Sequence, residues 1–433
     1  MTRALPVQLV AYRLATTLLT PLAPTLLARR AARGKEDPDR IEERQGHAGR
    51  ERPDGDLVWA HGASIGETQA LLPLVEALVA RGLKVLVTSG TRTSAEILAA
   101  RLPPGARHQY APLDAPGIVR RFLDHWQPRL VLFAESEIWP NIVVELDRRS
   151  IPLVLVNGRL SARSHAGWLR APKVARALFG RFSLCLAQSA QDAERLGDLG
   201  APVAGVTGNL KFDISPLPAD PSAVEDLAAR LAGRPVWMAA STHPGEEEAV
   251  VRAHLALRQT RPRLLTIVAP RHPARGEDIA GYALSAGLDA TRRSQGERPE
   301  AARDLHVVDT VGELGLYYRV APLVLMGGSL VPHGGQNPIE PARLGAAILH
   351  GPHVANFEEA YGAMDEAGAA LALADESELA GAVAGLLGQA GRMREMGRAG
   401  ARTVAALGGA LPRTLAALDP YLPPAREPRE AVW

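Results

Sequence analysis

Three carboxylates and one lysine in the first half of the chain have the chemistry and the placement for acid–base catalysis. Glu67 follows an apolar run and a glycine-containing turn, where a helical pattern begins. A helix N-terminus favours the carboxylate anion, so Glu67 either caps the helix or faces a ligand as a general base. Glu135 and Glu137 follow a second apolar run, with the same two interpretations. Lys211 is either a point charge for the site or a solvated lysine.

Four loops in the second half of the chain have the composition of anion-binding or nucleotide-binding loops. Glycine lets a backbone approach a ligand closely, backbone N–H groups at a helix N-terminus attract anions, and arginine binds phosphate or carboxylate. Each loop alone is weak evidence, but four at consecutive strand ends predict nucleotide binding. A glutamate in the last loop could accept hydrogen bonds from ribose hydroxyls. The candidate residues are Ser241 and His243; Pro270 and Arg271; Gly328 and Ser329; and Asn337, Pro338, Ile339 and Glu340.

These residues follow short apolar runs that alternate with helical patterns. Continuous apolar strands with helices between them predict a parallel sheet covered on both faces. The fold class is therefore α/β, with two doubly wound domains, and ligands are expected at the carboxyl ends of the strands, in the cleft between the domains. The predicted strands are Leu57–His61, Lys84–Thr88, Arg129–Ala134, Pro152–Val156 and Leu184–Ala187, then Val236–Ala240, Leu264–Ala269, Leu305–Val308, Leu323–Met326, Ala347–His350 and Ala370–Leu373.

Proline spacing sets the expected domain boundary. The segment 214–222 contains three prolines in nine positions and is typical of a linker. The predicted domains are therefore residues 34–213 and residues 223–433, the second with C-terminal helices over 376–418.

Composition excludes several classes of function. The net charge of the 433 residues is only +2, so no nucleic-acid partner is expected. The single cysteine, Cys185, lies in an apolar run and is expected in the core, which fits a reducing compartment. The scattered histidines and the acidic pairs before the first strand predict no metal site, and no cofactor is expected.

The N-terminal segment 1–33 is predicted to associate with a membrane. An uncharged run from Leu14 to Ala28, rich in leucine, threonine and proline, is followed at once by Arg29, Arg30 and Arg33. The preferred interpretation is an interfacial anchor, with apolar side chains in the acyl boundary and arginines on anionic headgroups. The alternatives are a helix packed on the globular body and a single span, for which the run is short.

Taken together, the motifs resemble those of the 3-deoxy-D-manno-octulosonic acid (Kdo) transferases of lipid A assembly. The resemblance extends from about Arg44 to about Asn356, and it rests on the segments 62–67, 135–141, 208–213, 270–273 and 327–340. It implies a GT-B fold, with Glu67 as proton acceptor and with Glu137 and Lys211 assisting the transition state. It also implies that Pro270, Arg271, Asn337 to Glu340 and the stretch Val311, Gly312, Glu313 hold CMP.

The resemblance implies an inverting, metal-independent transfer of Kdo from CMP-Kdo to a lipid A precursor, lipid IVA, on the cytoplasmic side of the inner membrane. Two alternatives stay open at this point. One is another GT-B enzyme, such as a nucleotide-sugar epimerase or a UDP-sugar transferase. The other is an inactive, membrane-docked nucleotide-binding module.

Overall fold

A computed structural model describes residues 4–213, 216–299 and 303–423 of the chain. The chain forms two compact units: the first contains the residues up to 214 together with those from 408 onward, and the second contains residues 215–407. The first sheet consists of β1 (Leu57–His61), β2 (Lys84–Ser89), β3 (Ala106–Tyr110), β4 (Leu130–Ala134), β5 (Leu153–Gly158), β6 (Leu184–Ala187) and β7 (Val203–Val206).

The first sheet is wholly parallel and has the order β3-β2-β1-β4-β5-β6-β7. β1 and β4 are neighbours although two strands separate them in sequence, so the winding reverses between them. The helices of this unit are α1 (Val7–Leu19), α2 (Ala23–Ala31), α3 (Ile41–Arg44), α4 (Ile65–Ala80), α5 (Arg92–Arg101), α6 (Pro116–Trp126), α7 (Pro140–Arg148), α8 (Ala162–Leu169), α9 (Pro172–Phe179) and α10 (Ala190–Asp198).

The second sheet is also parallel, in the order β10-β11-β9-β8-β12-β13-β14, and reverses its winding between β8 and β12. Its strands are β8 (Val236–Thr242), β9 (Leu265–Pro270), β10 (Ala290–Arg292), β11 (Leu305–Val307), β12 (Leu323–Met326), β13 (Ala347–His350) and β14 (Ala370–Ala372). Its helices are α11 (Pro221–Leu231), α12 (Glu246–Arg258), α13 (Gly276–Ser285), α14 (Leu314–Val320), α15 (Ile339–Arg343), α16 (Glu358–Glu366), α17 (Leu379–Gly388) and α18 (Ala390–Leu407).

The prediction of two doubly wound α/β domains is confirmed. Buried apolar side chains from the strands form core clusters on the faces of both sheets, and Cys185 is fully buried as expected. The sequence missed three strands, β3, β7 and β10. All three lie at sheet edges. β3 and β10 lack the continuous apolar run by which a central strand is recognised, and β7 is a short run of four residues that contains a glycine.

The C-terminal boundary of the second domain was wrong. Residues 223–433 were assigned to that domain, but helix α19 (Ala410–Leu418) packs in the first unit, where Ala410 and Leu418 enter the core. Helical periodicity shows that α19 has an apolar face, but it does not show which core covers that face.

The N-terminal segment forms α1 and α2, joined by a 3₁₀ turn, Thr20–Leu22. Both helices pack on the first unit, since Leu9 and Leu27 are buried, while Leu18, Leu22 and Leu26 are exposed. Within the described part of the chain no helix is long and apolar enough to cross a bilayer. The expectation that this segment packs on the globular body is therefore correct for the buried face of these helices. Contact of their exposed face with a membrane stays a prediction.

Candidate functional site

The predicted catalytic side chains of the first unit meet at the carboxyl ends of β1 and β4. Glu67 lies in the first turn of α4, which follows β1, and Glu135 and Glu137 follow β4. β1 and β4 flank the reversal of winding, the place where open α/β sheets bind ligands. The sequence predicted the ends of these strands correctly, and the parallel sheet brings them side by side.

Glu67 forms a capping box with Ser64. Its Oε2 accepts a hydrogen bond of 2.6 Å from the N–H of Ala63, and its own N–H donates to Ser64 Oγ at 3.3 Å. Burial raises the pKa of Glu67, and the negative charges of Glu137 and Glu135 raise it further, against the opposing hydrogen bonds from Ala63 and Ser64. Capping therefore occurs, and the same carboxyl group has the raised pKa of a candidate general base.

Glu135 forms an ion pair with Lys211, whose Nζ lies 3.0 Å from Glu135 Oε1. Glu135 adopts a left-handed backbone conformation, with φ of 55°, directly after β4 ends at Ala134. The alternation of side chains along a strand therefore does not continue through residues 135–137. Glu135 and Glu137 both act electrostatically on Glu67.

Glu137 accepts a hydrogen bond of 2.8 Å from Trp139 Nε1 on its Oε2. The same oxygen lies 3.7 Å from Nε2 of the buried His61, the last residue of β1. Neither neighbour was among the predicted site residues. Trp139 lies inside the segment 135–141, and His61 directly precedes the segment 62–67. An indole or imidazole next to a strand-end carboxylate is the signal that could have identified them.

Lys211 lies in a 3₁₀ turn, Leu210–Asp213, whose backbone is fixed from two sides. Asn157 Oδ1 accepts from the N–H of Leu210 at 2.9 Å, and the carboxylate of Asp213 accepts from Gly409 N at 2.6 Å and Leu411 N at 2.7 Å. The Lys211 side chain is only 18% exposed. It is therefore not an ordinary solvated lysine, and its ammonium group pairs with the carboxylate of Glu135.

The predicted loops of the second unit follow adjacent strands. β11, β9, β8 and β12 are neighbours in the sheet, and their carboxyl ends lead into residues 311–313, 270–271, 241–243 and 327–340. Parallel strands place these loops along one edge. The structure thus brings the predicted nucleotide-binding residues to a common edge, and their contacts with a ligand stay predictions.

A positively charged cluster lies at the ends of β8, β9 and β12. His243 stacks on His333 with ring centroids 4.2 Å apart, and its ring lies 6.3 Å from that of His272. Burial lowers the pKa of His243 to about 4, and positive charge on His333, His272, Arg271 and Arg275 contributes to the shift. Burial disfavours any charge, but the contribution of the neighbouring positive charges disfavours a further cation and favours an anion.

Arg271 remains the best candidate phosphate ligand of this cluster. Its guanidinium is partly exposed and makes no hydrogen bond or ion pair with any residue that the structure describes. Arg275, by contrast, contacts the carboxylate of Glu247 at 3.3 and 3.4 Å. Arg271 therefore has its hydrogen-bonding capacity available for a ligand.

The expected anion site at the start of α12 is occupied by the protein's own carboxylates. Glu246, only 1% exposed, accepts from the N–H groups of His243, Gly328, Ser329 and Leu330 at 2.7 to 3.1 Å. Gly245 N donates to Glu248 at 2.9 Å. The prediction that these amides receive an external anion was wrong, because Glu246 and Glu248 already satisfy them.

Ser329 is also used internally. Its hydroxyl donates to the carbonyl of Met326 and accepts from Gly351 N at 2.9 Å, and the residue is fully buried. Ser329 therefore links two strand ends, and nothing in its contacts supports the prediction that it binds substrate.

The remaining predicted CMP residues lie in two loops. Asn337 Oδ1 accepts from Ile339 N at 3.0 Å and shapes the turn that begins α15, with Glu340 in its first turn. The carboxylate of Glu313 accepts hydrogen bonds from Arg293 at 2.7 to 3.1 Å. Burial alone would raise the pKa of Glu313, but the hydrogen bonds from Arg293 and Thr310 outweigh burial, so the pKa is lowered. Val311 is 86% exposed.

Among the residues that the structure describes, no group of three or more histidine, cysteine, aspartate or glutamate side chains is arranged to hold a metal ion.

Comparison with known proteins decides the family. Residues 39–214 match the family described as 3-deoxy-D-manno-octulosonic-acid transferase (kdotransferase). The chain is 39% identical to the 3-deoxy-D-manno-octulosonic acid transferase of Bordetella pertussis over 425 residues, 95% of this chain and 99% of the relative. The chain belongs to the Kdo transferase family. It is therefore an enzyme of the glycosyltransferase class.

A second relative agrees with this assignment, and two solved structures show the fold. The transferase of Haemophilus influenzae is 34% identical over 88% of this chain and 91% of its own. UDP-GlcNAc 2-epimerase from Neisseria meningitidis, with 15% identity and a TM-score of 0.55, covers 84% of this chain and 99% of its own. A glycosyltransferase from Rickettsia africae has a TM-score of 0.55 at 11% identity, over 85% of this chain and 99% of its own. These two structures show the GT-B fold of the Kdo transferase.

Proposed function

We propose that the enzyme transfers Kdo from CMP-Kdo to a lipid A precursor, lipid IVA, by a single inverting displacement that needs no metal ion. The acceptor hydroxyl attacks the anomeric carbon of Kdo while CMP leaves. Glu67 accepts the hydroxyl proton. The positive charges around Arg271 balance the negative charge that develops on the departing phosphate. Glu137 and Lys211 assist the transition state at the carboxylate cluster of the first unit.

One observation carries this proposal: the pKa of Glu67 is raised by its burial and by two neighbouring carboxylates, next to the paired Lys211. A general base works best when its pKa lies closer to the working pH than that of an ordinary glutamate. The cluster is asymmetric, because Lys211 pairs with Glu135 and Trp139 donates to Glu137.

The proposed site of action is the cytoplasmic face of the inner membrane. Exposed leucines on α1 and α2 adjoin Arg29, and together with Leu113 and Ile118 they line a shallow apolar groove of about 560 Å³. Apolar side chains beside arginine suit acyl chains beside anionic headgroups. This surface supports the proposal that the acceptor is a lipid.

The test is incubation of the purified enzyme with CMP-Kdo and tetra-acylated lipid A precursor, with the product identified by mass and its anomeric configuration by NMR. We expect an added Kdo residue with inverted configuration, at a rate unchanged by EDTA. Turnover of a UDP-sugar in place of CMP-Kdo would identify another GT-B enzyme. Nucleotide binding without any transfer would identify an inactive module.

A further inference from the structure

His61, at the carboxyl end of β1, has an unused ring nitrogen directed at the carboxylate cluster. Its side chain is 2% exposed, and its Nε2 lies 3.7 Å from Glu137 Oε2. That nitrogen is buried and has no hydrogen-bond partner among the described residues. A buried, unsatisfied imidazole nitrogen is costly, and it calls for an explanation.

The neighbours of His61 assign its tautomer. His61 Nδ1 lies 2.8 Å from Thr88 Oγ1, and Trp59 Nε1 lies 2.8 Å from the same hydroxyl. The indole N–H can only donate, so the hydroxyl of Thr88 accepts from Trp59. Thr88 is fully buried, and among the described residues the one acceptor for its hydroxyl proton is His61 Nδ1. The proton of the imidazole is then on Nε2, the nitrogen that faces Glu137.

The fold fixes this ring in place. His61 lies opposite Thr88 on β2 and Phe133 on β4 in the parallel register. Its ring packs against Phe133, with centroids 5.2 Å apart, and against Trp139, with centroids 6.1 Å apart. The direction of the Nε2–H is therefore set by three strands and by the loop that carries Glu137.

We propose that His61 is a positioning residue, which holds Glu137 through its Nε2–H in the place that the transfer reaction requires. With Trp139 Nε1 at 2.8 Å, Glu137 Oε2 then lies between two N–H donors. A shortening of about 0.8 Å would turn the His61 contact into an ordinary hydrogen bond, and such contacts commonly tighten when substrate binds. This inference rests on the proposed function for the part that concerns turnover.

The arrangement also acts on the base. The carboxylates that face Glu67 are Glu137 and Glu135, Lys211 pairs with Glu135, and His61 directs an N–H at Glu137. Glu137 raises the pKa of Glu67 only while it stays close. If His61 no longer holds Glu137, the pKa of Glu67 falls, and the acid limb of the rate profile moves to lower pH.

The tautomer is tested without any assay of activity. In protein labelled with ¹⁵N-histidine, the two ring nitrogens of His61 are assigned from the signals lost in His61→Gln. We expect a protonated Nε2 and an unprotonated Nδ1, and we expect Thr88→Val to lose this preference. A proton on Nδ1 alone in the unmodified enzyme would overturn the proposal.

The positioning role is tested with His61→Leu and His61→Gln. Leucine removes the donor, and we expect turnover to fall about 10- to 100-fold, with the acid limb of kcat/KM at lower pH and with unchanged affinity for CMP. Glutamine offers an N–H in a similar place and should restore turnover to within a few-fold. Unmodified turnover and pH profile in His61→Leu would contradict the role. Absence of transfer in the unmodified enzyme would instead count against the proposed function and leave the NMR result valid.

Discussion

At the scale of single residues, Glu67 shows that a structural role and a chemical role need not exclude each other. Its carboxylate caps α4 through Ala63, and the same capping places it at the end of β1 beside Glu137. Burial and the like charge then raise its pKa. A helix cap usually favours the ionised form, so the raised pKa marks an environment in which desolvation and carboxylate repulsion outweigh that effect.

Glu67→Gln is expected to lower turnover strongly while preserving the fold. Glutamine also serves in a capping box, so the melting temperature should change little. It cannot accept the hydroxyl proton, and loss of a general base costs about 100- to 10,000-fold in rate. Turnover, melting temperature and CMP affinity should be measured on this one variant.

A matched control for Glu67→Gln is Glu248→Gln, since Glu248 has the same third position in the capping box of α12. It should turn over within a few-fold of the unmodified enzyme. If Glu67→Gln does the same, Glu67 is a helix cap only, and Glu135 or Glu137 becomes the candidate base.

The pH profile of the unmodified enzyme gives a separate check on Glu67. A base must be ionised to act, and the pKa of Glu67 lies above that of an ordinary glutamate. The acid limb of kcat/KM should therefore fall away at a pH above the usual glutamate range, and the limb should be absent from the residual rate of Glu67→Gln. If the acid limb instead lies in the pH range of an ordinary glutamate, the raised pKa of Glu67 has no part in the mechanism.

Arg271→Ala should weaken donor binding more than it slows the chemistry of bound donor. Its guanidinium is available for a phosphate, and a charge-assisted hydrogen bond is worth about 1.5–3 kcal/mol, or about 10- to 150-fold in affinity. Affinity for CMP is measured by calorimetry. Arg252→Ala, which removes an exposed ion pair with Glu376 in the same unit, is the control and should bind CMP normally. Equal affinities in the two variants would show that Arg271 does not bind the nucleotide.

At the scale of elements, the segment that carries Lys211 depends on a helix from the far end of the chain. Asp213 caps α19 through Gly409 and Leu411, and Arg413 Nε donates to the carbonyl of Thr207 at 2.8 Å. After the second unit, the chain rejoins the first unit, where α19 stabilises the turn that carries Lys211, the partner of Glu135. This return explains physically why the C-terminal helix belongs to the first unit.

Asp213→Ala should lower both stability and turnover. Loss of a helix cap costs about 0.5–2 kcal/mol, and the freed turn no longer holds Lys211 beside Glu135. Asp220→Ala is the matched control, because Asp220 caps α11 through Ser222 at 3.0 Å in the second unit. We expect similar losses of unfolding free energy by denaturant titration, with reduced turnover only in Asp213→Ala. Equal turnover in both variants would show that α19 does not position Lys211.

At the scale of the whole molecule, the two units carry different chemistry. The first carries the carboxylates, Lys211 and the exposed apolar face of α1 and α2, and the second carries the positive cluster around Arg271. The N-terminal helices cannot simply be deleted to test membrane contact, because Leu9 and Leu27 are buried and Tyr12 donates to Asp114 at 3.0 Å. Their deletion would expose the core as well.

The membrane prediction is therefore tested by substituting the exposed face alone. Leu18→Glu and Leu22→Glu, combined, should release the protein from vesicles of anionic phospholipid and leave CMP affinity and the melting temperature unchanged. Leu284→Glu is a control, because it charges an exposed leucine of the second unit. Co-sedimentation equal to that of the unmodified protein would show that this face does not bind the lipid surface.

The sequence by itself determined the fold class, the central strands and the strand-end location of the motifs. Buried parallel strands are continuous apolar runs, and their carboxyl ends share one edge, so local pattern is sufficient for these features. Tertiary structure alone decided which groups satisfy one another. Lys211 pairs with Glu135, Glu246 takes the amides expected to bind an anion, α19 joins the first unit, and His61 faces Glu137. These contacts join residues far apart in the chain, and no local period encodes such partners.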